Sequence, residues 1–470
     1  MSALPPRGWS LESVTNSERL PVLADCDVLV VGAGAAGVAA ATVAAEGGAS
    51  VILLEKYGFA GGAAVAGMSG TICGLYLASD DERARPRQIV SGFTDRFITE
   101  LAHRGGLTAP QRYGKTFTRA HDPYVWRDAA DALLTDAGVR IIYHATVVDV
   151  ACDGLLVTGV TITSSGGMTR INARRIIDAS GDAALVARAG GRYFFGRDGR
   201  IQNPTMFFRL GNVDTHRFWD AYGPDTICPP WVTERITADR AAVPPLPRNK
   251  IWVFATPHDG ELLVNATRLT ASDGRMLNVI DPEDFTIAEV DGRRQVRSYF
   301  GFLRRNLPGC GDAHLIDTGV EAGIRQTRTI AGAMTLTNDD VVSKRKRPDG
   351  IARSAWPIEI HDGEKPTLEW LIDDWYEVPF LALVPETLEG IIVAGRSLSA
   401  EHEALASARV TAQCFEYGHA AAVATLRALR SGERFRDIPG ADIRAAMASV
   451  GSSFDYPNGI HPIDSKVAPL

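Results

Sequence analysis

Three glycines in "VVGAGAAG", Gly32, Gly34 and Gly37, keep a G-x-G-x-x-G spacing, and the stretch they open closes on Glu55 and Lys56. This spacing suits a dinucleotide: Gly32 permits a tight turn, Gly34 lets the backbone meet a pyrophosphate, and Gly37 allows a helix to pack closely. Ala35 and Ala36 lead into that helix, whose unpaired N–H groups and positive dipole end attract phosphate. Glu55 offers a carboxylate to the hydroxyls of a ribose. A second backbone-only surface, "GGAAVAG" with Gly61 and Gly62, follows soon after and suits a long, bent cofactor. Among the 10 histidines, His361 in "WPIEIH" and His402 in "SAEHEAL" are candidates for moving a proton, since an unperturbed imidazole titrates at about pH 6.5. Each is equally open to the plainer reading of a ring satisfied by hydrogen bonds or standing in solvent. Arg325 and Arg328 stand three apart, which on a helix places both on one face, where they could clamp a carboxylate or pair with acids.

The elements around these residues read consistently. "CDVLVV" (26–31) is apolar and valine-rich, as a strand buried on both faces of a parallel sheet should be. "AAGVAAATVAAEGG" continues as a helix of small residues able to lie close to a sheet, and "SVILLEK" resumes the strand pattern, completing a β-α-β unit. Two distant segments repeat strand then turn. "RRIIDASGDAALVARAG" (174–190) carries Ala179, Ser180, Gly181 and Asp182, and the segment from Glu389 carries Gly395 and Arg396, followed by a helix through Ala406 and Arg409.

Length and composition bound the rest. At 470 residues the chain exceeds the roughly 300 at which single cores stop growing, so more than one core is expected. Its 45% apolar and 22% charged content is ordinary for a globular protein, and a net charge of -7 supplies no attraction to nucleic acid. The 6 cysteines form no C-x-x-C, which fits a reducing compartment. The N-terminal stretch has no basic-then-apolar leader, and no run approaches the about 18 apolar residues of a membrane span; the chain reads as cytoplasmic. His402 and Glu403 begin like H-E-x-x-H, but Ala406 breaks the zinc spacing, and no metal is expected.

The order of the glycine-rich segments resembles the FAD-dependent oxidoreductases with the glutathione-reductase type of nucleotide-binding fold. More narrowly, it resembles a family distantly similar to fumarate reductase and succinate dehydrogenase flavoproteins. Four further stretches carry that resemblance: "HDPYVWRDAADALLTDAGVRIIYHATVVDV" (121–150), "GIRQTRTIAG" (323–332), "AWPIEIHDG" (355–363) and "YEVPFLALVPETLEGIIVAGRSLSAEHEALASARV" (376–410). It implies FAD as cofactor, Val147 at an adenine-contacting position, and Arg396 in support of the cofactor. It also implies that the helix beginning around Ala406 to Arg409 points its N-terminus at the flavin pyrimidine edge, where reduction leaves negative charge. The resemblance is specific for FAD and not for a substrate.

The expected fold is α/β: a Rossmann-like FAD-binding domain, with a parallel sheet, helices and a second antiparallel β layer, plus a β-rich substrate domain. The FAD-binding domain is read as discontinuous (20–76, 112–196 and 312–430), with a lid-like insertion at 77–111, a substrate or cap domain at 197–311 and a C-terminal extension at 431–470. The aromatics Phe207, Phe208, Phe218, Trp219, Trp231 and Trp252 read as core. Function follows as hydride transfer at flavin N5 to or from a small organic metabolite, with His402, His361 and Arg325 as the catalytic candidates. No second dinucleotide fingerprint is present, so electrons are expected to come from the organic substrate and leave to oxygen, a quinone or a carrier protein. An FAD monooxygenase and a non-catalytic flavoprotein redox sensor are the alternatives, and a homo-oligomer is compatible with the sequence.

Overall fold

The structure, a computed structural model, describes residues 19–239, 246–361 and 367–455. Residues 1–18 of the N-terminal stretch, the end of "AWPIEIHDG" and residues 456–470 of the C-terminal extension lie outside them.

The valine-rich strand Val22–Val31 is central to a seven-stranded sheet, with Val28, Leu29 and Val30 fully buried. On one side it pairs in parallel with Val51–Leu54, which pairs in turn with Arg140–Ile142. On the other it pairs in parallel with the long strand Gly167–Asp178. That strand is shared. Its first half bonds antiparallel to Leu156–Ser164 (Ser164 opposite Gly167), which continues to Thr146–Asp153, while its last residues bond in parallel to Ile391–Val393 (Val393 opposite Asp178). The parallel sheet and the antiparallel layer are therefore one hydrogen-bonded body.

The helix Ala35–Glu46 lies between this sheet and the long helix Thr411–Ser431, and the small residues along it are explained by the spacing. A Cβ at Gly418 would stand 2.0 Å from the carbonyl oxygen of Ala36, and one at Gly37 would stand 1.7 Å from that of Gly32. The segment 77–111 contributes the helix Phe93–His103, which buries Phe93, Phe97 and Leu101 on the same body. Phe97 packs against Trp126 and Phe415, with ring centroids 4.5 Å and 4.7 Å away.

A second core gathers residues from Met206 to Ala322. Its sheet runs Trp252–Ala255, Leu262–Asn265, Phe208–Gly211 and His314–Thr318, all antiparallel. The last of these strands falls in a stretch that sequence assigned to the FAD-binding segments; its hydrogen bonds to Phe208–Gly211 place it here instead. The region read as β-rich also holds the 25-residue helix Pro282–Asn306, begun by Asp281, whose side chain accepts from the Glu283 N–H. A small aromatic cluster, including Tyr113, Phe207, Trp252 and Trp356, joins the two bodies.

Gly418→Ala is expected to lower Tm by about 1–3 °C, because overpacking a tight contact costs about 1–3 kcal/mol; an unchanged melting curve would show that the two helices can separate freely.

Candidate functional site

One deep cavity runs from the glycine loop to the aromatic cluster between the two bodies. At its outer end it is lined by Gly32, Gly34, Ala35 and Ala36, with Gly61 and Gly62 facing Gly34 closely enough that a Cβ at Gly62 would stand 2.8 Å from the Gly34 Cα. Gly37 does not reach the cavity; its place is under the loop, against Gly32. Gly32 has φ +101°, the region that favours glycine, and a Cβ there would meet the Ala179 oxygen at 2.4 Å. Glu55 is buried beside it. Its Oε2 accepts from the Ala33 N–H (2.8 Å) and its Oε1 from the Tyr57 N–H (3.0 Å), which aims the carboxylate and leaves further lone pairs on each oxygen. Burial raises its pKa, and these two N–H donors oppose the rise. Lys56 lines the mouth and pairs with Glu321 (2.9 Å), which also accepts from the Tyr57 hydroxyl. Val147 lines the cavity from the strand Thr146–Asp153.

The far strands bring the remaining cofactor candidates to this loop. Ala179, Ser180, Gly181 and Asp182 follow directly from Asp178, and Gly395 and Arg396 follow from Val393, its partner in register. Arg396 Nη2 donates to Asp182 Oδ1 (2.6 Å), which also accepts from Thr327 Oγ1 (2.7 Å). Burial raises the Asp182 pKa, but Arg396 and Thr327 outweigh it and hold the carboxyl below its ordinary value.

The inner end holds a buried polar cluster. Glu359 Oε1 accepts from the Tyr113 hydroxyl (2.8 Å) and stands 3.2 Å from His361 Nε2. The His361 Nδ1 stands 3.1 Å from Arg248 Nη2. Since a guanidinium can only donate, Nδ1 accepts and Nε2 carries the proton toward Glu359. Burial pulls the His361 pKa down to about 3, with Arg325 adding to the fall. For Glu359 burial works upward, but His361 and the Tyr113 hydroxyl outweigh it, and the value falls to about 2. Arg325 lines the cavity and donates through Nη1 to the Asn203 oxygen (2.7 Å). Arg409 lines it too, through Nη2 to Gln202 Oε1 (2.9 Å).

Three expectations shift. Ala406 is fully buried in the helix His402–Ala408 and does not reach the cavity. The chain turns at Arg409 and Val410, and it is the next helix, Thr411–Ser431, that presents its N-terminus, without any side-chain cap, through Val410, Thr411 and Cys414. His402 is likewise outside: its ring lies by Gly196, where a Cβ would stand 3.0 Å from Nδ1. Arg328 is not on a helix with Arg325 but begins the strand Arg328–Ile330, where it donates to the Asp182 backbone oxygen and packs over Tyr193. Among the described residues no cluster suited to a metal occurs, and no helix is long and apolar enough to cross a membrane.

The family model described as FAD dependent oxidoreductase matches residues 27–447. The chain belongs to that family. No curated protein matches it. Among solved structures it is similar to a geranylgeranyl bacteriochlorophyll reductase-like protein from Thermoplasma acidophilum, at 15% identity and TM-score 0.47 over 90% of this chain and 83% of that one. It is also similar to the flavin-dependent brominase Bmp2 (14%, TM-score 0.48, 90% and 84%). A third is p-nitrophenol 4-monooxygenase PnpA from Pseudomonas putida (12%, TM-score 0.45, 91% and 89%).

This FAD-dependent oxidoreductase has residues that fit its cofactor: a backbone cradle that Cβ atoms would fill, an aimed carboxylate at Glu55, and an uncapped helix N-terminus facing the same cavity. Several residues at the inner end carried too little signal to single out. Glu359 stands two residues before His361, so an extended chain places both on one face, which the motif could have disclosed. Tyr113 and Arg248 come from segments with no pattern of their own. Phe207, read as core, lines the cavity beside Phe254 and Trp356.

Glu55→Ala removes the aimed acceptor and frees the Ala33 N–H, so FAD affinity should fall roughly tenfold or more, as for a lost hydrogen bond to a charged group; full flavin content after purification would contradict this. A second expectation concerns acid. His121, whose ring packs 4.5 Å from Trp126, is also neutral, burial holding it down at about 4. The unfolded chain takes up both histidine protons as pH falls through about 6.5, whereas the folded chain resists until about 4 for His121 and about 3 for His361. Stability is therefore lost across that interval, by about 1.4 kcal/mol per pH unit for each ring. Tm should drop between about pH 7 and about pH 5 and drop less steeply in His361→Gln; parallel slopes would mean that His361 already carries its charge when folded.

Proposed function

We propose that this oxidoreductase moves a hydride and a proton between FAD and a small organic metabolite held at the inner end of the cavity. The observation that carries the reading is the continuity of a single cavity, lined at one end by Gly32, Glu55 and Asp182 and at the other by Tyr113, Glu359 and His361. FAD, when bound, supplies the hydride chemistry, and its electrons leave to oxygen, a quinone or a carrier protein. The chain's own residues handle the proton.

His361 takes the proton that leaves an oxidised alcohol or amine. Glu359, 3.2 Å from Nε2, orients the ring and stabilises the imidazolium that results. Uptake occurs at Nδ1, which Arg248 must first release, so the base is switched on when Arg248 finds another acceptor. Tyr113 holds the second hydrogen bond to Glu359 and keeps that carboxylate from swinging away. The uncapped N-terminus of Thr411–Ser431 faces the cavity where negative charge is best stabilised.

The test is the visible spectrum of the purified protein, followed without oxygen as a panel of metabolites is added. Bleaching of the flavin bands by one compound is expected; bands that no compound bleaches would overturn the redox reading. With that compound, His361→Gln and Glu359→Gln should slow bleaching by about 10²- to 10⁴-fold while flavin content is kept, and unchanged rates in both would remove the proton role.

A further inference from the structure

Arg325 lines the cavity close enough to Arg248 and Arg409 to feel both charges, all three feel Glu359, and all three are drawn below the ordinary arginine value, first by burial. Among the described residues none of the three has a carboxylate within 4.0 Å, and Glu359 already holds His361 and Tyr113. His361 is neutral. Three guanidiniums thus face one carboxylate, leaving two positive charges in a place where unpaired charge is costly. Unmet donors point the same way: Arg409 Nε and Gln202 Nε2 are buried with no hydrogen-bond partner.

One of the two charges has a claimant. Arg409 lies just before the N-terminus of Thr411–Ser431, where the negative charge that the cofactor gains on reduction is stabilised. The other is Arg325, which lines the cavity beside a wall of rings, Phe207, Phe254 and Trp356, in the small aromatic cluster between the two cores. A site with one free cation and flat apolar walls selects against both neutral polar ligands and ligands with two charged ends.

We infer that the substrate is a monocarboxylate with an aromatic or otherwise flat apolar body, its carboxylate on Arg325 and its body against Phe207, Phe254 and Trp356. This rests on the reading of the inner cavity as the substrate site.

Benzoate, its neutral isostere benzamide and the small dicarboxylate succinate serve as probes, titrated by calorimetry into the flavin-loaded protein. Benzoate should bind at least about tenfold more tightly than either of the others, the scale of one hydrogen-bonded charge. Arg325→Gln should lose about tenfold or more in benzoate affinity, and Phe254→Ala several-fold, with flavin content kept. Equal affinity for benzamide, tighter binding of succinate, or no benzoate binding would overturn the inference, as would an unaltered isotherm in Arg325→Gln. If Arg325→Gln fails to fold, the three probes on the unsubstituted protein still decide. The isotherm is read without turnover, so Arg325-dependent benzoate binding in a protein whose flavin no metabolite bleaches would sink the redox reading and leave the carboxylate site standing.

Discussion

The cavity depends on a backbone contact that only glycine allows. At Gly37 the helix comes so near the preceding turn that a Cβ would stand 1.7 Å from the Gly32 oxygen, and at Gly32 one would stand 2.4 Å from the Ala179 oxygen. Those two approaches set the height of the helix Ala35–Glu46 above the sheet and turn its first N–H groups toward the cavity. The remaining cradle is built outward from them: Gly62 meets Gly34, and Glu55 reaches back to the Ala33 N–H. Around the loop itself the cavity is lined by glycines and alanines, which present backbone.

At the other end side chains do all the recognition, and they do it under a charge imbalance. Burying guanidiniums without counter-ions is costly unless a ligand completes the set, and a reduced cofactor and an anion are the groups we propose for it. Glu359 takes part without cancelling the excess, because its oxygens serve Tyr113 and His361. The same arrangement keeps His361 neutral and its proton on Nε2.

Legibility in the sequence followed how local each signal was. The β-α-β unit and the strands ending at Asp178 and Val393 were readable because apolar runs and glycine turns are local features. Their union into one sheet was readable only through resemblance. The helix Pro282–Asn306 was missed: its apolar residues are spread thinly among charged ones, so it reads as polar chain until the second core is seen to cover one face. At the site, His361 and Arg325 were singled out from segments of recognisable pattern. Tyr113, Arg248 and Phe207 were not, since each comes from a different strand or loop, and only tertiary packing brings Tyr113 and Phe207 to the cavity and Arg248 to His361. His402 and Arg328 show the converse, chemically suitable residues that the chain path carries elsewhere.

The Asp182–Arg396 pair joins residues 214 positions apart. The strand that delivers Arg396 is also the last to enter the sheet. During synthesis the glycine loop emerges early, but the cavity has no far wall until those late residues leave the ribosome. Cofactor capture is consequently a late event in the life of a nascent chain, and until then a half-built sheet exposes the open edge of Gly167–Asp178. A transcript cut before this strand would leave that edge to whatever β-structure it meets.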